Sequence, residues 1–119
     1  MQLETLLDQI KHAASEVTFS DVIAVVDEHY SYQQCEFSNG KGADTVMNAA
    51  GTNVGSCKIF AFGLLNQLSE AETLACFGDF YRSDVLQNPD GNDHQNIRSF
   101  MKTGWAGIHF SGQALTPNK

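Results

Sequence analysis

The sequence predicts an α+β fold: five or six helices around a buried central helix at 57–68, with a small antiparallel sheet of two or three strands. Three observations predict it. Apolar residues recur at helical spacing in several separate stretches. From Cys57 to Leu68 the only clearly polar residues are Lys58, Asn66 and Gln67, a composition that marks a helix buried nearly all round. Between about 31 and 49 the period falls to two around an Asn39-Gly40 turn signal.

Taken in order, Leu3, Leu6, Leu7 and Ile10 alternate with Glu4, Asp8 and Lys11, an amphipathic helix over 3–14. Ser20-Asp21 offers a cap and a first-turn acid for a second helix reaching Tyr30, with Val22, Ile23, Val25 and Val26 on its apolar face. A strand follows over 31–38, with a parity switch between Tyr32 and Cys35 that suggests a bulge. The turn at Asn39-Gly40 returns the chain into a strand over 44–49.

In the central segment Cys57, Phe60, Ala61, Leu64, Leu65 and Leu68 form one helical face, and Ile59 and Phe62 the other. Ser69 and Glu72 make a capping box, the clearest helix start in the chain. That helix carries Leu74, Ala75 and Phe77 to Gly78, then resumes through Phe80, Tyr81, Val85 and Leu86. Asn88-Pro89-Asp90-Gly91 is a turn, and Asn92 or Asp93 caps a last helix over 93–103 with Ile97, Phe100 and Met101 inward. Gly104 stops it, a strand over 106–110 completes one sheet with 31–38 and 44–49, and the tail from Thr116 is loose.

Length and charge bound the function. At 119 residues the chain reads as one domain, 1–119, long enough to bury a core without staples. Fourteen acids against seven bases give a net charge of −7, and the bases are scattered. Nucleic acid and anionic membranes need clustered cations, so neither is an expected partner. No signal-peptide pattern opens the chain, and the apolar stretch from Ile59 to Leu65 is too short to span a bilayer. Cys35, Cys57 and Cys76 are odd in number and form no CxxC pair, which reads as reduced thiols in a cytosolic setting. His12, His29, His94 and His109 lack metal-ligand spacing, and no phosphate-loop or dinucleotide glycine pattern occurs, so neither metal nor cofactor is expected.

Two groupings could carry chemistry. With Ser56 or Asn53 as cap, Cys57 falls in the first turn of the central helix beside Lys58, where amides and dipole favour a thiolate. His94 or His109 would be its base. Against that, Cys57 shares a face with Phe60, Leu64 and Leu68, and burial raises a thiol's pKa, so a packed, inert Cys57 is the expectation. Separately, His94 and Arg98 stand at i and i+4, and with Asp93, Asn96 and Trp105 could line a pocket for a carboxylate. The plain alternative packs His94 beside Ile97 and Met101 and pairs Arg98 with an acid elsewhere.

The strings "GSCKIFAF", "SEAETLACFGDFYRSDVL" and "PDGNDHQNIRSFMKTGWAGIHFSGQAL" closely resemble the HopJ family of small bacterial proteins, named for a type III effector. The resemblance is dense from Asn53 to Leu115 and thinner before it. It implies a type III effector-like protein and brings no catalytic residue, cofactor or substrate. The first reading is therefore a non-enzymatic effector-like protein acting by protein contacts, its partner and oligomeric state unspecified, made in the bacterial cytoplasm and exported by a type III system. The alternative is a small cytoplasmic bacterial protein with a ligand-binding or catalytic pocket built around Asn53, Cys57, His94 and Arg98, with Ser56, Lys58, Trp105 and His109 as further candidates.

Overall fold

The structure, a computed structural model, describes residues 1–118. Two helices open it. Helix α1, Leu3–His12, buries Leu6 and Ile10. Helix α2, Phe19–His29, buries Val22, Val25 and Val26. The cap of α2 is Thr18, whose hydroxyl accepts the Asp21 amide at 3.1 Å, so the helix starts before the expected Ser20. Ser20-Asp21 suits a start because both residues cap well, but Thr18 holds the cap position and Asp21 supplies the capped amide.

The strand expected over 31–38 is two strands in two sheets. Tyr30–Tyr32 (β1) pairs antiparallel with Leu115–Pro117 (β5). Phe37–Asn39 (β2) sits at the centre of a three-stranded antiparallel sheet, between Val46–Asn48 (β3) and Ile108–Phe110 (β4). The parity switch between Tyr32 and Cys35 marks a change of sheet rather than a bulge. The expected antiparallel pairing of the first hairpin holds as β2 with β3, across a loop that includes a 3₁₀ turn at Gly42–Asp44. The tail is not loose: Thr116 pairs with Ser31, and the Asn118 amide donates to the His29 carbonyl at 2.9 Å. Trp105 lies in a 3₁₀ turn, Gly104–Gly107, ahead of β4.

The central helix, α3, runs Val54–Leu65, three residues earlier at each end than the pattern places it. Its core is Phe60, fully buried, whose ring meets Phe37, Phe77, Phe100 and Trp105 at centroid distances of 6.0, 5.5, 5.0 and 6.4 Å. Burying one such aromatic contributes about 1.5–3 kcal/mol by area alone. Gly63 lets Trp105 lie against α3; a Cβ there would stand 2.9 Å from the indole. Leu64 and Leu65 are exposed, against the helical-face reading. They close the last turn of the helix, which stops just after them: Gln67 takes a left-handed φ of 55°, Leu68 donates to the Gly63 carbonyl and Gln67 to the Leu64 carbonyl. This is a Schellman stop, and it returns Leu68 to the core in their place.

Helix α4, Glu70–Ala75, starts from the expected capping box, complete in both directions at 3.1 and 2.8 Å. The chain resumes as a π-helical segment, Phe80–Val85, with Leu86 donating to the Tyr81 carbonyl. Helix α5 is Gln95–Thr103 and buries Asn96, Ile97, Ser99 and Phe100. Met101, expected inward, is exposed, because the buried stripe of α5 is narrow and is filled by Asn96, Ile97, Ser99 and Phe100.

Candidate functional site

Helices α3 and α5 begin in the same unusual way. The residue before each, Asn53 and His94, is left-handed, at φ 48° and 51°. Neither side chain caps its own helix. The helical ladder starts only when Cys57 donates to the Asn53 carbonyl and Arg98 to the His94 carbonyl, both near 3 Å. The amides before those have no helical partner. Non-glycine residues pay for a left-handed conformation, and only three in the described chain adopt it. Two of the three are these helix starts.

Both starts open onto one cleft of about 520 Å³. Asn53, Gly55 and Ser56 line it from α3, and His94, Gln95 and Asn96 from α5. An aromatic shelf forms its other wall: Phe19 meets Phe80 edge-on at 5.0 Å, and Phe80 lies 5.2 Å from the His94 ring. His94 Nε2 stands 3.0 Å from Asp84 Oδ2, so the π-helical segment fixes the ring's direction. Gly55 makes the shelf possible, since a Cβ there would come within 2.8 Å of the Phe19 ring.

Behind the cleft lies a buried asparagine network. The Asn96 side chain exchanges hydrogen bonds with Asn48, donating to its Oδ1 at 2.9 Å and accepting from its Nδ2 at 3.1 Å. Asn39 Nδ2 donates to Asn96 Oδ1 at 3.0 Å and to its carbonyl at 2.8 Å. Asn53 Nδ2 donates to Asn48 Oδ1 at 2.6 Å. The network ties β2, β3 and the start of α3 to the first turn of α5. Since buried polar groups cost free energy unless paired, it holds the two helix starts in one arrangement.

Of the residues proposed from sequence, Asn53, Ser56, His94 and Asn96 meet at the cleft. The others go elsewhere. Cys57 is 1% exposed and turned into the core, one turn inside the helix rather than at its mouth. Burial, then the nearby Cys35 thiol, pushes its pKa up to about 11 against the opposing pull of Lys58. Burial with Glu72 beside it pushes Cys76 to about 12. Lys58 pairs with Asp27 at 2.7 Å and lies 5.1 Å over the Tyr32 ring. The Trp105 indole donates to the Leu68 carbonyl at 3.0 Å and packs on Phe100. His109 is exposed on β4, opposite Ser38.

Arg98 does not line the cleft that His94 lines, although both reach the Asp93 carboxylate, His94 Nε2 at 3.9 Å and Arg98 at 2.6 Å. Its guanidinium donates to Asp93 Oδ1 and the Asp93 carbonyl, both at 2.6 Å, and to the Asn88 carbonyl at 2.9 Å. It therefore clamps the turn over 88–93 onto α5, and its hydrogen bond holds the Asp93 carboxyl below its ordinary range.

A second hollow, about 430 Å³, lies on the outer side of α5 between Leu86, Pro89, Met101 and Lys102, and it too reaches Gln95. Phe19, Asn39 and Asn48 are absent from the candidates drawn from sequence. An asparagine inside a strand is itself a signal, because strands disfavour it unless its amide is paired. Among the described residues no three His, Cys, Asp or Glu side chains gather to hold a metal, and no helix is long and apolar enough to cross a membrane.

Three comparisons bear on identity. A family model described as HopJ type III effector protein matches residues 3–115. The crystal structure of the unknown function protein VPA0580 is 49% identical, covers 99% of this chain and 95% of its own, and superposes with a TM-score of 0.94. No curated protein matches.

Proposed function

The chain belongs to the HopJ type III effector protein family, and on that premise we propose that it works by docking a partner protein on the face centred on Gln95, without covalent chemistry. One observation carries this. Phe80, Leu86 and Met101 are 40, 47 and 44% exposed and border two hollows that meet at Gln95. Exposed large apolar groups gathered round concave surface mark contact sites. Raised thiol pKa values at Cys57 and Cys76 argue against a cysteine nucleophile. Family membership supports synthesis in a bacterial cytoplasm followed by type III export. The net charge of −7 favours a protein over nucleic acid as partner.

The test is a photo-crosslinking residue at Gln95, with a control at the exposed Ala24 on α2. The expected result is a discrete adduct at Gln95 alone, lost in Leu86→Asp and Met101→Asp backgrounds. Adducts equal at both positions, or insensitive to those changes, sink the reading.

A second reading, a cytoplasmic protein with a ligand pocket, is favoured by one feature: both left-handed helix starts share the cleft. Asn53, Ser56 and His94 would then bind a small carboxylate. Acetate titration followed by NMR should move the amides of Gly55, Ser56, Gln95 and Asn96 together; no movement at saturating acetate rejects it.

A further inference from the structure

Two hollows on the α5 face are lined by more cations than acids, against the balance of the molecule. The chain carries twice as many acids as bases. Yet among the described residues Arg98 and Lys102 are the only ionisable ones lining the outer hollow. The adjoining hollow, which shares Gln95, Arg98 and Lys102, adds Lys41 against the single acid Asp44. Three of the seven cations thus line two neighbouring hollows. Arg98 is committed to Asp93 and the 88–93 turn, whereas Lys41 and Lys102 have no ion-pair partner among the described residues.

The apolar part of the surface lies beside these cations. Leu86 and Met101 are nearly half exposed on either side of the outer hollow, with Val85 and Pro89 as its floor and lip. The lip is fixed: Arg98 binds three carbonyls of the turn, and Gly91 passes so close that a Cβ would stand 2.7 Å from the guanidinium. A groove with one rigid wall and an apolar floor accepts an inserted side chain at low ordering cost.

We infer that this groove takes an acidic, amphipathic segment of a partner protein, one large apolar side chain entering between Leu86 and Met101 and its carboxylates meeting Lys102 and Lys41. The inference rests on the docking reading above and supplies the partner's chemistry. A basic partner segment would be repelled by the Lys41 and Lys102 ammonium groups that line these hollows. An anionic membrane would be repelled by the remaining surface, which carries the excess of acids.

The experiment is a titration of the isotope-labelled full chain with an end-blocked peptide carrying leucine on one helical face and glutamate on the other. Its lysine-for-glutamate counterpart and vesicles of phosphatidylglycerol in phosphatidylcholine are titrated in parallel. The glutamate peptide should shift the amides of Leu86, Gln95, Met101 and Lys102, and bind more weakly as salt rises. Lys102→Glu should weaken it about fivefold, as expected for reversing an exposed charge, and Met101→Asp about tenfold or more. Lys11→Glu, on α1, should leave it unchanged. Equal or tighter binding of the lysine peptide, shifts elsewhere, or vesicle binding in its place overturns the inference. If the peptide fails while site-specific crosslinking at Gln95 persists, the partner chemistry is wrong and the docking reading stands; if both fail, both fall.

Discussion

Helices α3 and α5 start alike and are used differently. Each follows a left-handed residue, and each contributes its first turn to the same cleft. From there α3 sinks into the core, with Cys57, Ile59, Phe60, Ala61 and Phe62 all buried. α5 keeps one narrow buried stripe and turns Gln95, Met101 and Lys102 outward. The apolar helix stabilises; the mixed helix presents surface. The most conspicuous run in the sequence is therefore packing, and the surface suited to contact belongs to a helix of ordinary appearance.

The contrast breaks most visibly at Phe60. Phe60→Ala should cost about 3–5 kcal/mol, a large part of the about 5–15 kcal/mol that holds such a domain. Leu64→Ala, four residues on but exposed, should cost under about 0.5 kcal/mol. Chemical melts of the two variants measure the difference, and equal losses would erase the distinction between the helix's two halves.

Next comes the polar link between the helices. Asn96→Ala leaves Asn39 Nδ2 and Asn48 Nδ2 short of their shared acceptor. Each keeps a backbone acceptor, so the expected cost is about 0.5–1.5 kcal/mol for each hydrogen bond lost. Denaturant melts read the total, and NMR should show the change spreading to Asn53, which is held through Asn48. A loss confined to α5 would mean that the network does not couple the two helix starts.

A smaller effect depends on pH. The Cys57 thiol is raised from its ordinary value near 9 to about 11 in the folded protein. The folded state thus holds a proton that the unfolded chain releases first. Stability from this group is full below pH 9 and falls as pH rises through 9 toward about 11. The slope is at most about 1.4 kcal/mol per pH unit. Cys57→Ala should flatten that alkaline fall; an unchanged slope would place the thiol in water.

The mildest change is at the rim of the groove. The Asp93 carboxyl is held low by Arg98, so the clamp is present above the usual carboxylate range and is lost as pH falls. Asp93→Asn should leave the global melt nearly unmoved and speed hydrogen exchange of the amides over 88–93. Unaltered exchange there would assign the turn's rigidity to its backbone bonds alone.

Much of this architecture is legible in the sequence, and what is hidden is hidden for definite reasons. The capping box at Ser69 and the hairpin at Asn39-Gly40 are local devices, and local devices read well. The β1–β5 pairing joins residues at opposite ends of the chain, which no local period reports. The ends of α3 and the start of α5 were shifted by residues adopting left-handed conformations that only glycine advertises: Asn53, Gln67 and His94. That shift puts His94 at the cap of α5 and carries Cys57 away from the helix mouth. The polar residues near helix starts, Asn53, Ser56, His94 and Asn96, are readable as candidates; their partners Phe19, Asn39 and Asn48 come from distant segments and are not.

The central claim is that this surface binds and does not react. Alkylation of the native protein with iodoacetamide near neutral pH, followed by peptide mapping, tests it most directly. The account predicts slow labelling at Cys57 and Cys76, rising only in denaturant, and no change in His94→Ala. Fast native labelling of Cys57 that is quenched by His94→Ala would contradict it, by showing a thiolate and its base working together at the cleft.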